Sequence, residues 1–150
     1  IFTIQLFGSP NDLQLSLVII GHIKKINNKN SIADTMLQEA HKKIALLYLK
    51  KYESKDLKGI ESLFSNDIVL RDWKIRVEGK KNALIETQKN FGSCESIKIE
   101  VLSLYENENT VAAELKIVID DREELYVVDV ITINSESKIS SIRAFIGRGN

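Results

Sequence analysis

The second half of the chain most limits how it can fold: four segments that alternate apolar and polar residues follow one another with only short links between them. "SIKIEVLSLYE", "TVAAELKIVID", "ELYVVDVITIN" and "KISSIRAFIG" are divided by "NEN", "DRE" and "SES". Links so short and polar join neighbouring strands as hairpins, so these segments predict an antiparallel meander. The third segment is unusual. With a two-residue period, Leu125, Val127, Asp129, Ile131 and Ile133 share one face and Tyr126, Val128, Val130 and Thr132 the other, which puts a carboxylic acid in the middle of an apolar stripe.

The first half has a helical period. Ser31 can cap a helix with Asp34 at its third position, and Leu37, Ala40, Ile44, Leu47, Tyr48 and Tyr52 recur at spacings of three and four. A shorter helix is predicted after the Asp56 cap, with Leu57, Ile60, Leu63 and Phe64 inward. Asp67 to Trp73 alternates as a strand, with Ile68, Leu70 and Asp72 on one side and Val69, Arg71 and Trp73 on the other. "KIRVEGKKNALIETQKNF" then reads as a short strand, a turn at Gly79 and a third helix through Ala83, Leu84, Thr87 and Phe91. Helices first and a meander afterwards predict an α+β domain, three helices packed on a mostly antiparallel sheet.

Before residue 31 the pattern is double. "SPNDLQLSLVIIGHIKKI" reads as a helix, with Ser9 as cap and Pro10 in the first turn, or as a strand, because Leu13, Leu15 and Leu17 alternate; the cap favours helix. "NNKN" at 27 to 30 is a polar break. The only methionine is Met36, and residues 1–35 are expected to be an N-terminal extension of a domain spanning 36–150.

The 150 residues suit one domain able to enclose a core, and Lys+Arg and Asp+Glu both number 21, so no global charge draws the chain to nucleic acid or an anionic membrane. Neither is an expected partner. "LVII" at 17 to 20 is the densest apolar run, far short of a membrane span, and "IFTIQLF" lacks the basic start of a secretory signal. A lone cysteine, Cys94, excludes an intramolecular disulfide and fits a reducing compartment, so a cytoplasmic location is expected. His22 and His41 stand outside any ligand spacing and are read as surface or half-buried residues; no metal and no cofactor are expected. No nucleophile elbow, Walker loop or dinucleotide fingerprint is present.

Three residues carry candidate chemistry. Asp129, enclosed by aliphatic neighbours, would hold its proton and so could donate a hydrogen bond; alternatively it pairs with Arg143, or the strand phase is shifted by one. Asp72, at a strand end that water reaches, would stay ionised and suits a general base, or is an ordinary turn aspartate. Tyr48 points its phenol inward, and taken alone is core. The strand 125–133 is apolar on both faces, so its outer side is expected to meet a second layer, a symmetric copy of the chain.

Together, "LYLKKYESKDLKGIESLFSNDIVLRD", the Gly-then-helix segment, "VVDVITI" and "ISSIRAFIG" resemble the nuclear transport factor two-like (SnoaL-like) superfamily, and within it the ketosteroid isomerases. The resemblance covers about Met36 to the C-terminus. It implies a cone-like domain whose strongly curved sheet encloses a pocket, often paired as a homodimer through the sheet. It also implies that Tyr48, Asp72 and Asp129 meet in that pocket, with Asp72 moving a proton beside a carbonyl while Tyr48 and neutral Asp129 donate to its oxygen. Members with this set usually have proline after the first aspartate; here Trp73 follows Asp72. The expected function is cofactor-free isomerisation, cyclisation or dehydration of a hydrophobic carbonyl compound; the alternative is a noncatalytic module that binds small molecules or associates with proteins.

Overall fold

The computed structural model describes the backbone of residues 10–149 and the side chains of residue 29 and residues 31–149. Two compact units divide the chain, Ile1–Leu37 and Gln38–Asn150. The first helix, α1, spans Pro10–Glu53. It has no break at Asn27–Asn30 and no cap at Ser31, whose carbonyl instead accepts a bond from Thr35 Oγ1 inside the helix. Asparagine costs well under about 1 kcal/mol per helical position, so a short polar run marks solvent rather than an end. Ser9, the proposed cap, lies outside the described residues.

The inward stripe of α1 is also rotated from the expected one. His41, Ala45, Tyr48 and Leu49 are buried, with Ile44 and Tyr52 half-buried beside them, whereas Leu37, Ala40 and Leu47 face out. His41 is therefore a buried residue. After α1, Asp56 caps α2 (Leu57–Leu63) by accepting from Gly59 N at 2.8 Å. Strand β1 (Phe64–Arg71) follows at once, then β2 (Arg76–Glu78) and α3 (Lys80–Gly92), which buries Ala83, Thr87 and Phe91. Gly79 opens α3 at φ 83, a backbone region that a side chain would strain.

The meander comprises β3 (Ile97–Asn107), β4 (Thr110–Ile119), β5 (Glu123–Ile133) and β6 (Ile139–Ile146). Its turns place Glu108, Asp120, Asp121 and Ser137 at positive φ. Asp120 also accepts from Glu95 N and Ser96 N at 2.7 and 2.8 Å, tying the β4–β5 turn to the start of β3. The sheet runs β2-β1-β6-β5-β4-β3, with β1 and β6 parallel and every other pair antiparallel. Among the described residues, three helices and an open six-stranded sheet make the α+β architecture that the sequence predicts.

Ile60, Phe64, Ile68, Leu115, Ile131 and Ile142 fill the core at 1% exposure or less, each such side chain contributing about 1.5–3 kcal/mol by leaving water. In β3 an irregularity between Val101 and Ser103 shifts the register. Ile97, Ile99 and Val101 lean inward before it; beyond it Tyr105 is exposed and the Glu106 carboxyl is buried.

Candidate functional site

The site grows from the ends of the elements. α1 delivers Tyr48 and Tyr52 one turn apart on its inner stripe. The Tyr48 ring lies 6.0 Å from Phe64 and 5.9 Å, edge-on, from Tyr52, and Tyr52 in turn meets Phe91 edge-on at 5.0 Å. Lys55, just past α1, donates to the carbonyls of Phe91 (3.0 Å) and Cys94, so the C-termini of α1 and α3 are held together on one side of a cavity of about 390 Å³. The opposite wall is the inner face of the sheet, with Ile97, Ile99, Leu115 and Ile117 among its residues.

Asp129 lies on that wall. The phase of β5 is as the sequence predicts: Val127, Asp129, Ile131 and Ile133 are buried and Val128 is exposed. Across the strands Asp129 stands between Ala113 and Ala144, whose methyl groups leave the carboxyl room. Arg143 is no partner for it, since it pairs in register with Val130 and faces out. Burial alone lifts the Asp129 carboxyl from an ordinary value near 3.8 to about 7, and so near neutrality it retains a substantial proton occupancy. Burial first, then the nearby Asp129 charge, holds the Tyr48 phenol well above its usual range. Among the described residues neither group has a hydrogen-bond partner in the protein.

Asp72 follows β1 and lines the same cavity. Its Oδ1 accepts from Lys74 N at 2.5 Å and Ile75 N at 2.8 Å, so it organises the turn into β2. Only one oxygen is used that way, leaving Oδ2 for other work. Trp73 stands at the rim, 43% exposed. Thus Tyr48, Asp72 and Asp129, far apart in sequence, border one hollow. Two further residues join them. Tyr52 accepts from Asn90 Nδ2 at 3.1 Å, and burial above all pushes its phenol up to about 12. The four-residue spacing of Tyr52 from Tyr48 is the signal that could have identified it; Asn90, in the last turn of α3, carries no sequence signal.

The arrangement offers two donors, Tyr48 and the protonated form of Asp129, and a carboxylate at the rim that can accept a proton. Among the described residues no three His, Cys, Asp or Glu side chains gather as a metal ion requires, and no helix is long and apolar enough to cross a membrane.

No protein-family model and no curated protein matches this sequence. Solved structures do. A candidate ketosteroid isomerase from Kribbella flavida matches at 16% identity and TM-score 0.66, with 75% of this chain and 82% of that one covered. An LEH-like epoxide hydrolase from M. tuberculosis matches at 13% identity and TM-score 0.64, covering 73% and 84%. An epoxide hydrolase/cyclase-like enzyme in pyran ring formation of the polyether salinomycin matches at 23% identity and TM-score 0.64, covering 73% and 92%. At these identities the likeness is one of fold, and the fold is that of the nuclear transport factor two-like, or SnoaL-like, proteins.

Proposed function

We propose that this domain is a cofactor-free enzyme that moves a proton on a hydrophobic carbonyl compound, by isomerisation, cyclisation or dehydration. The observation that carries the reading is the pairing of two desolvated, partnerless donors, Tyr48 and Asp129, with a rim carboxylate, Asp72, around one largely apolar cavity. Asp72 takes a proton from carbon beside the carbonyl through its free Oδ2. The electron pair moves onto the carbonyl oxygen, which receives hydrogen bonds from Tyr48 and protonated Asp129, and Asp72 then returns the proton elsewhere on the molecule. A donor aimed at developing charge in a dry site lowers the barrier by about 3–4 kcal/mol. Solved neighbours described as isomerase, epoxide hydrolase and cyclase support a small-molecule reaction in such a hollow.

The test is turnover of a panel of β,γ-unsaturated and 1,3-dicarbonyl compounds by wild type and by Asp72→Asn. Loss of turnover in the variant with retained binding of a phenol supports the base assignment; undiminished turnover sinks it. The second reading, a noncatalytic binding module, has its own observation: Asp72 Oδ1 is committed to the turn, as in any strand-end aspartate. Phenol binding with no turnover across the panel decides for that reading.

The outer side of the sheet exposes Tyr105, Val128 and Phe145. We assign it to a second copy of the chain, and a mass of one protomer at all concentrations by light scattering contradicts this. The lone cysteine is the reason to place the protein in the cytoplasm.

A further inference from the structure

We propose that Tyr52, held by Asn90, is a second hydrogen-bonding pole of the cavity, so that its ligand is an apolar molecule bearing two oxygens, one met by Tyr48 and Asp129 and the other by Tyr52. This deepens the proton-transfer reading and rests on it. Asn90 Nδ2 donates to the Tyr52 hydroxyl at 3.1 Å and so occupies an oxygen lone pair. The phenolic hydrogen is left with no acceptor among the described residues, on a group that lines the cavity. That hydrogen is free to be donated, and a ligand oxygen in the cavity can accept it in place of water. The ring is packed edge-on against Phe91 at 5.0 Å and Tyr48 at 5.9 Å, contacts that favour this placement.

The two poles differ in depth. Tyr48 and Asp129 are 4% and 8% exposed, while Tyr52 is half-buried and its partner Asn90 is open to solvent. Tyr52 lines the same cavity as Tyr48, Asp72 and Asp129. Aliphatic side chains of Ile97, Ile99 and Leu125 line the remaining wall. A molecule seated here turns one oxygen inward to the reacting pole and its second oxygen outward to Tyr52.

The experiment measures binding of 2-naphthol and of a set of dihydroxynaphthalenes with the second hydroxyl at different ring positions. Calorimetry and the fluorescence of Trp73, the only tryptophan and a rim residue, report it on the full chain. At least one dihydroxynaphthalene is expected to bind about tenfold tighter than 2-naphthol. Tyr52→Phe, which keeps the ring, is expected to erase that gain and leave the 2-naphthol Kd within about twofold. The proposal is overturned if no second hydroxyl gains affinity in wild type, if the gain survives Tyr52→Phe, or if the variant weakens both kinds of probe equally. Tyr48→Phe separates the two readings: failure of that variant to weaken 2-naphthol removes the deep pole and the proposed function, whatever Tyr52 does.

Discussion

Two carboxyl groups are buried on the inward side of this sheet, and the protein treats them in opposite ways. Glu106, on β3, is given company: its Oε1 lies 3.2 Å from His41 Nδ1, which also reaches the Glu108 carbonyl at 3.1 Å, and Lys42 Nζ stands 3.9 Å from Oε2. Asp129, on β5, is given space. Alanines flank it, no group among the described residues bonds to it, and it faces an open cavity. A buried acid that serves the fold is matched by donors, because an unmatched one costs several kcal/mol. On the proposed reading, the unmatched Asp129 is kept for a ligand oxygen.

The contrast breaks most visibly in the pH dependence of stability. The folded Asp129 carboxyl holds its proton up to about pH 7, while the unfolded one releases it near 3.8, so the native state binds the extra proton across that window. Stability from this group is complete below about pH 4, falls as pH rises and is gone above about pH 7. At about 1.4 kcal/mol per pH unit the loss amounts to about 4 kcal/mol. Urea unfolding from pH 4 to 8 should show that decline in wild type and lose this component in Asp129→Asn. An identical slope in both proteins would mean that Asp129 is already ionised in the native state.

Next comes Tyr48→Phe, which keeps the ring packed on Phe64 and removes only the unpartnered hydroxyl. Turnover of any carbonyl compound found for the domain should fall about 100- to 1000-fold, the equivalent of about 3–4 kcal/mol, while the urea midpoint barely moves. A loss of stability with no loss of turnover would reclassify Tyr48 as core. His41→Leu reverses that pattern. It strips Glu106 of its hydrogen-bond partner without touching the cavity, and should cost about 2 kcal/mol of stability by urea unfolding with turnover unaltered.

How far the sequence disclosed each acid follows from the regularity of its strand. β5 alternates strictly from Val127 to Ile133, so Asp129 could be placed inward from the pattern alone. β3 does not. Counting by twos from Ile97 puts Tyr105 inside and Glu106 outside, and the register shift between Val101 and Ser103 reverses both. Nothing in "EVLSLYE" marks the shift, since both Leu102 and Leu104 are suitable inward residues and one extra residue is absorbed without any glycine or proline to flag it. His41 escaped for a linked reason. Spacings of three and four fit several faces of α1, and only the sheet decides that Ala45 and Leu49, not Ala40 and Leu47, turn inward. The candidate site was legible where a polar residue broke an apolar stripe, at Asp129, or ended one, at Asp72; Asn90 was not, because a polar residue in a helix's last turn is ordinary.

The smallest effect sharpens the comparison most finely, since Glu106 has two basic neighbours of different kinds. Lys42 stands 3.9 Å from Oε2 with its side chain 35% exposed, and it also pairs with Glu39 at 3.7 Å. Water screens such a charge, and a long side chain gives up rotamer freedom to hold its place, so Lys42→Met should cost no more than about 0.5 kcal/mol in urea unfolding. His41 makes a directed bond from a buried ring and should cost several times more. Equal losses in the two variants would mean that net charge near Glu106, not the imidazole bond, holds β3 against α1. The Glu106 Oε2 atom, which has no hydrogen-bond partner among the described residues, would then owe its burial to Lys42.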